Sequence, residues 1–314
     1  MAALRWQYHE DLQRLQLQMG QLQSARVRTL DITNLRDAEF QVFSQFGEDG
    51  IIQYLVHRVP IDRDVFVEFG VEDYSESNTR FLLANNNWRG LIIDGGTDHV
   101  EFAKRTGLDW RHQLDAKTAF IDRENINQLI QESGIAGDIG LLSIDIDGND
   151  YWVLEAIEAV SPRILVVEYN STFGVEAAVT IPYDKDFRRD QAHHSHLYWG
   201  ASLSAIASLA VRKGYALVGG NSAGNNAFFV RTDVLGTLAP TSVADAFAPS
   251  RFRESRDSGG TLTYVDDPTE RLQLIATLPL WDVESSRLTT VAERFSLAQP
   301  SSPQHALPGP RDRR

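Results

Sequence analysis

The middle of this chain alternates short apolar runs with stretches whose apolar residues recur every three to four positions. Val65-Phe-Val-Glu-Phe-Gly70, Leu91-Ile-Ile-Asp94, Thr118-Ala-Phe-Ile121, Gly140-Leu-Leu-Ser-Ile-Asp145 and Pro162-Arg-Ile-Leu-Val-Val-Glu168 read as strands, most of them apolar on both faces. Helical spacing is predicted between them, over 79–87, 99–106, 124–133 and 151–159. A longer helix over 201–213 is stopped by Gly214. Two final strands, 215–218 and 227–230, are joined by a turn rich in Asn and Gly and predict a hairpin. The expected fold is α/β: a Rossmann-like, seven-stranded, mostly parallel sheet with helices on both faces and an antiparallel last strand.

The flanks differ. Residues 1–40 read as a helical arm in which Leu12, Leu15, Met19 and Leu22 form a stripe and Gln fills many other positions. A short amphipathic helix needs a surface to lie on, either the body of the protein or a second subunit. Residues 41–232 form the central domain. Residues 233–298, with Leu278 and Trp281, are expected to fold back onto it. Residues 299–314, rich in Pro, Ser and Arg, are expected to be a disordered tail. No internal repeat is present.

Composition narrows the chemistry. Lys and Arg number 30 against 43 Asp and Glu, a formal net charge of -13. Such a field repels phosphate backbones and argues against a nucleic-acid partner. The chain has no cysteine, which excludes disulfides, thiolate metal sites and a cysteine nucleophile. No apolar run approaches the ~20 residues of a membrane helix, and the first residues do not form a secretory signal. No membrane partner and a cytoplasmic location are therefore expected.

In an open parallel sheet, ligands bind beyond the carboxyl ends of the strands. The first strand ends in Glu68-Phe-Gly70, followed by Glu72 and Asp73. The second ends in Asp94-Gly95, where an acid is placed to bind a ribose diol. The turn lacks G-x-G-x-x-G. Three carboxylates near the place of a pyrophosphate oppose a dinucleotide but suit a sulfonium cofactor with an amino group. The fourth and fifth strands end in Asp145-Ile-Asp147-Gly-Asn-Asp150 and Glu168-Tyr-Asn170. Asp147, Glu168 and Asn170 form an all-oxygen set that suits Mg²⁺, Ca²⁺ or Mn²⁺. Alternatively, Asp145 and Asp147 cap the next helix. His193, His194 and His196 crowd one polar segment that reads as a solvated loop, a lid, a source of metal ligands or a source of a base.

Ser44-Gln-Phe-Gly-Glu-Asp-Gly50, Phe66-Val-Glu68-Phe-Gly70, Ser77-Asn78-Thr79, Trp88-Arg-Gly90 with Ile93-Asp94, and Ile144-Asp145-Ile-Asp147-Gly148 resemble the FkbM-type methyltransferases. These are class I S-adenosylmethionine-dependent O-methyltransferases that often act on sugar hydroxyls. The resemblance covers about residues 40–232. It implies that Glu68 and Gly70 border the cofactor's methionine part, Asp94 holds the ribose, and Ile121 and Asp122 flank the adenine. Gln45, Ser77, Asn78, Gly95 and Asp145 complete the implied cofactor-binding set. Ser143 and Asp147 stand where the commoner family pattern has a lysine and a glutamate. The acids after strands four and five are also similar to those of metal-dependent O-methyltransferases of catechols and macrolide sugars. By that resemblance Asp147, Glu168 and Asn170 hold the metal, and Asp150 occupies the position of the base, with His193, His194 or His196 as substitutes.

The expected activity is methyl transfer from S-adenosylmethionine to a hydroxyl of a sugar-containing or other natural-product small molecule. A divalent cation, Mg²⁺ first, would lower the hydroxyl pKa, and Trp199, Tyr183 and Tyr198 would wall the acceptor. The alternatives are a nicotinamide-dependent oxidoreductase and a non-catalytic cofactor-binding scaffold. A homo-oligomer through the N-terminal helix is a further expectation.

Overall fold

The computed structural model describes residues 2–105 and 108–297. The expected tail, 299–314, lies outside the described residues.

Seven strands, β1 (Val65–Phe69), β2 (Arg89–Asp94), β3 (Leu114–Thr118), β4 (Gly137–Ile144), β5 (Val160–Glu168), β7 (Tyr215–Gly220) and β8 (Asn226–Arg231), make one sheet in the order β3-β2-β1-β4-β5-β8-β7. All neighbours from β3 to β5 are parallel. The last strand, β8, is antiparallel to both β5 and β7, between which it inserts. The sheet is thus the expected mostly parallel, Rossmann-like one. All five residues of β1 are buried. Phe66 faces one apolar core with Ile92, Leu141 and the helix Glu48–Arg58, while Val67 and Phe69 face another with Ile93, Leu142 and the helices Ile126–Gln131 and Leu203–Arg212. Burial on both faces is why these strands read as unbroken apolar runs.

Three expectations change. The third strand spans Leu114–Thr118, not 118–121. It is an edge strand with only Ala116 buried, so its own signal is weak, and the apolar residues that suggested a strand lie beyond its end. The helix Ala2–Arg28 does lie on the body, but not through its apolar stripe. Gly20 seats against Val42 and Phe81, Ser24 donates to Gln53 at 2.7 Å, and Val27 is buried. Leu12, Leu15, Met19 and Leu22 face outward, from 46% to 68% exposed. As for the segment after residue 232, it joins the body through a small sheet that the sequence did not indicate, in which β9 (Pro279–Asp282) lies between β10 (Arg287–Thr290) and β6 (Val179–Thr180) of the central domain. With Phe173, Ile181 and Leu197 these elements enclose a third core around Leu272, Ile275, Leu280 and Val291. No helix among the described residues is long and apolar enough to cross a membrane.

Candidate functional site

After β1 the chain turns outward to β2 and β3. After β4 it turns the other way, to β5. The carboxyl ends of β1 and β4 therefore flank the switch point at which an open sheet leaves a crevice. A cavity of about 490 Å³ opens there. Gly70, with φ +70°, forms its floor. A Cβ on Gly70 would stand 1.6 Å from the Asp145 carbonyl oxygen, so only glycine lets the first turn lie against the end of β4.

The cavity gathers most of the residues singled out in the sequence: Gln45, Glu68, Gly70, Ser77, Asn78, Asp94, Gly95, Ile121, Asp145, Asp147, Glu168 and Asn170 all line it. Glu68 is buried and accepts hydrogen bonds from Ser77 Oγ, Asn78 N and Thr79 N, which bind the 77–79 segment to the end of β1. Asn78 in turn donates to Ser143 Oγ at 3.1 Å. Asp94 accepts from Glu72 N at 2.9 Å and Gly96 N at 2.7 Å, with His99 Nδ1 at 3.2 Å. It thereby fixes the loops after β1 and β2 relative to each other.

Asp145 and Glu168 sit side by side at the ends of β4 and β5, one step beyond the Ile144–Val167 register pair, where their side chains interact. Burial, and then the neighbouring negative charges, push both carboxyls well above their ordinary range. Two acids so placed disfavour being ionised at the same time. The second oxygen of Glu168, Oε2, is buried and has no hydrogen-bond partner among the described residues.

Other expected roles fail on geometry. Asn170 spends its amide nitrogen on the Leu197 and Trp199 carbonyls, both at 3.0 Å, and its oxygen accepts from Thr172 N. It clamps a loop, and its oxygen is already engaged by the Thr172 amide. Asp147, with φ 55°, accepts from Arg189 Nη1 at 2.5 Å. That guanidinium also lies 3.6 Å from Glu254 and over the Trp199 ring. A guanidinium thus lies against Asp147, where the expected cation would bind. Among the described residues no group of three His, Cys, Asp or Glu is arranged to hold a metal. The set Asp147, Glu168 and Asn170 therefore does not fit a divalent ion.

Asp150 lies under the loop, fully buried, accepting from Ile146 N and Gly148 N at 2.9 Å each. Burial raises its pKa to about 6, but it does not line the cavity and is no base for a bound ligand. Asp122 accepts from Glu124 N and Asn125 N, which closes the turn before the helix Ile126–Gln131, and does not line the cavity either. His193 contacts Ser195 Oγ, and His196 Nδ1 lies 3.2 Å from Glu254. Neither they nor His194 line the cavity. Of the expected aromatic walls, Trp199 lines it, whereas the Tyr198 hydroxyl donates to Pro279 O and Tyr183 bonds Glu124.

Sequence reasoning missed Glu76, Phe120, Phe187, Arg189, Phe252, Glu254 and Arg271, all of which line the cavity. Phe120 and Phe187 follow motifs already singled out and were within reach. Arg189, Glu254 and Arg271 arrive from distant segments and carried no local signal.

No family of known proteins and no curated protein sequence matches this chain. Solved structures with a similar fold include two methyltransferases and a domain with S-adenosylhomocysteine bound. One is a carbon methyltransferase, CurJ, at 13% identity, covering 59% of this chain and 52% of that one with a TM-score of 0.38. Another is the N-terminal domain of EvdMO1 with S-adenosylhomocysteine bound, at 10% identity, covering 66% and 93% with a TM-score of 0.37. The third is an S-adenosylmethionine-dependent methyltransferase from Clostridium acetobutylicum, at 13% identity, covering 44% and 56% with a TM-score of 0.30. The chain spans only about half the length of the first and third. Likeness at this level transfers no residue role and no acceptor.

Proposed function

We propose that this protein is an S-adenosylmethionine-dependent methyltransferase acting on a hydroxyl of a small molecule. One observation carries the reading. The cavity at the switch point is ringed by Glu68, Glu72, Glu76, Asp94, Asp145, Asp147, Glu168 and Glu254, against only Arg189 and Arg271. This excess of negative charge favours a ligand carrying a sulfonium and an ammonium and repels a pyrophosphate, which sets the nicotinamide reading aside. S-adenosylmethionine bound there supplies an electrophilic methyl group.

The rest is the work of the chain. Asp94, already fixed by two backbone amides, has lone pairs left for a ribose diol. Phe120 and Ile121 offer an apolar edge for an adenine. At the other end the Asp145–Glu168 pair, holding one proton, carries one negative charge and can take the acceptor's proton. The pair then becomes neutral as the sulfonium charge disappears, so the transfer leaves no net charge in a poorly solvated site. Trp199 and Phe252 wall the acceptor end, where aromatic faces suit a sugar ring. With Arg189 against Asp147 and Asn170 bonded to three backbone groups, this scheme needs no cation. Activity in excess EDTA is expected to equal activity with added Mg²⁺ in a radiolabelled methyl-transfer assay. A rate restored only by metal would overturn this part of the scheme.

Calorimetric titration tests the cofactor assignment. S-adenosylhomocysteine should bind and NAD should not. Asp94→Ala should weaken the former by about 100-fold, the loss of roughly two charge-assisted hydrogen bonds. Binding of NAD alone would reverse the assignment.

The N-terminal arm adds a second proposal, a homodimer. Leu12, Leu15, Met19 and Leu22 alternate by three and four residues on the outward face, the spacing of a two-helix seam. Leu15→Glu with Leu22→Glu should turn a dimer into a monomer by light scattering at micromolar concentration, with little loss of stability, because both side chains are exposed. An unchanged mass would refute it.

A further inference from the structure

A second cavity of about 610 Å³ adjoins the first, and Ser171, Ser250 and Arg271 line both. Its other walls come largely from the segment after residue 232 and are apolar in good part, with Phe247, Leu272 and Phe295 among them. Arg271 therefore stands on the partition, on the far side of the site from Asp94 and the glycine turn.

The charges nearby are not equally satisfied. Arg189 is balanced by Asp147 and Glu254. Arg294 and Arg253, which also line the second cavity, are paired with Asp282 at 2.8 Å and Asp266 at 3.5 Å. Arg271 has no carboxylate oxygen within 4.0 Å among the described residues. Its Nε donates to Thr172 Oγ1 at 3.3 Å and its Nη1 to the Val265 carbonyl at 3.1 Å, which fixes the plane of the guanidinium. Its Nη2 has no hydrogen-bond partner among the described residues. Ser171 Oγ accepts from Ser250 N at 3.0 Å, which leaves its own proton to donate. A half-buried guanidinium held by neutral groups, with no carboxylate in direct contact, is costly unless an anion completes it. Burial, and then the positive charge of Arg189, lower the Arg271 pKa, and Asp266, which is paired with Arg253, opposes them only in part.

We infer that Arg271, with the Ser171 hydroxyl, is an oxyanion-binding site, and that the acceptor is a small molecule with an apolar body in the second cavity and a carboxylate or phosphate held by Arg271. The guanidinium fork matches either group. The anchor would also set the angle at which a hydroxyl elsewhere on the molecule enters the first cavity, a positioning that counts in transfer reactions. The segment after residue 232 is then the part of the chain that selects the acceptor. The word acceptor rests on the methyl-transfer reading; the anion site does not.

The test uses the full chain with benzoate, phenyl phosphate and the neutral benzyl alcohol as probes, titrated with and without S-adenosylhomocysteine. Benzoate or phenyl phosphate should bind at least tenfold more tightly than benzyl alcohol, and the better of the two identifies the group. Arg271→Gln should remove that preference and Arg271→Lys should keep part of it, while both variants bind S-adenosylhomocysteine as the parent does, which shows that they fold. Equal binding of benzyl alcohol, or an unchanged preference in Arg271→Gln, would overturn the site. An oxyanion preference in a protein that takes no S-adenosylhomocysteine would uphold the site and overturn the methyl-transfer reading instead.

Discussion

Alanine at position 70 is expected to abolish cofactor binding and to destabilise the fold by about 3 kcal/mol. Two effects add. The backbone there has φ +70°, which costs any residue with a Cβ. The new carbon would also sit 1.6 Å from the Asp145 carbonyl oxygen, a backbone atom that can move only if β4 moves. Relief of the clash requires the first turn to lift off the end of β4, and this opens the crevice between them. Thermal unfolding and titration with S-adenosylhomocysteine check both halves. A Gly70→Ala variant with parental affinity would mean that the crevice is not where the cofactor lies.

Glutamine at position 168 should lower kcat by on the order of 10³, within the range associated with a lost proton acceptor. The substitution is nearly isosteric. Its amide can donate to Asp145, so fold and cofactor affinity should hold. What disappears is the unpartnered Glu168 oxygen that can take the acceptor's proton as the shared proton passes to Asp145, and Asp145 is left as the pair's one carboxylate. A kcat effect with unchanged S-adenosylhomocysteine affinity separates this role from a structural one. A kcat within threefold of the parent would remove the pair from the mechanism and leave Asp147 or Glu254 as the carboxylate to examine next.

The cavity itself was legible early because each acid that rings its cofactor end closes a buried strand or follows one. Glu68, Asp94, Asp145 and Glu168 stand within one residue of the carboxyl ends of β1, β2, β4 and β5, and parallel alignment brings such ends together. Ligand roles were less legible. Asn170 and Asp150 have the right chemistry in the sequence, yet their hydrogen-bonding capacity is consumed by backbone groups that only the folded loops bring near. The histidines failed for a similar reason: a run of three within four positions says nothing about which side of a loop faces the cavity.

By itself, the sequence determined the sheet, its parallel sense, the inserted antiparallel strand, the acidic rim and the glycine turn. These follow from local apolar runs and from the short-range demands of a tight backbone, which residue types record directly. Tertiary structure alone decided which face of the N-terminal helix is buried. Close approach at Gly20 and a hydrogen bond at Ser24 outweighed the more apolar stripe. It also decided that Arg189, 42 residues from Asp147, lies against the carboxylate meant for a cation, and that Arg271, 99 residues from Thr172, reaches the edge of the cavity. Contacts across such separations depend on how the two sheets and three cores pack, and no spacing along the chain encodes that.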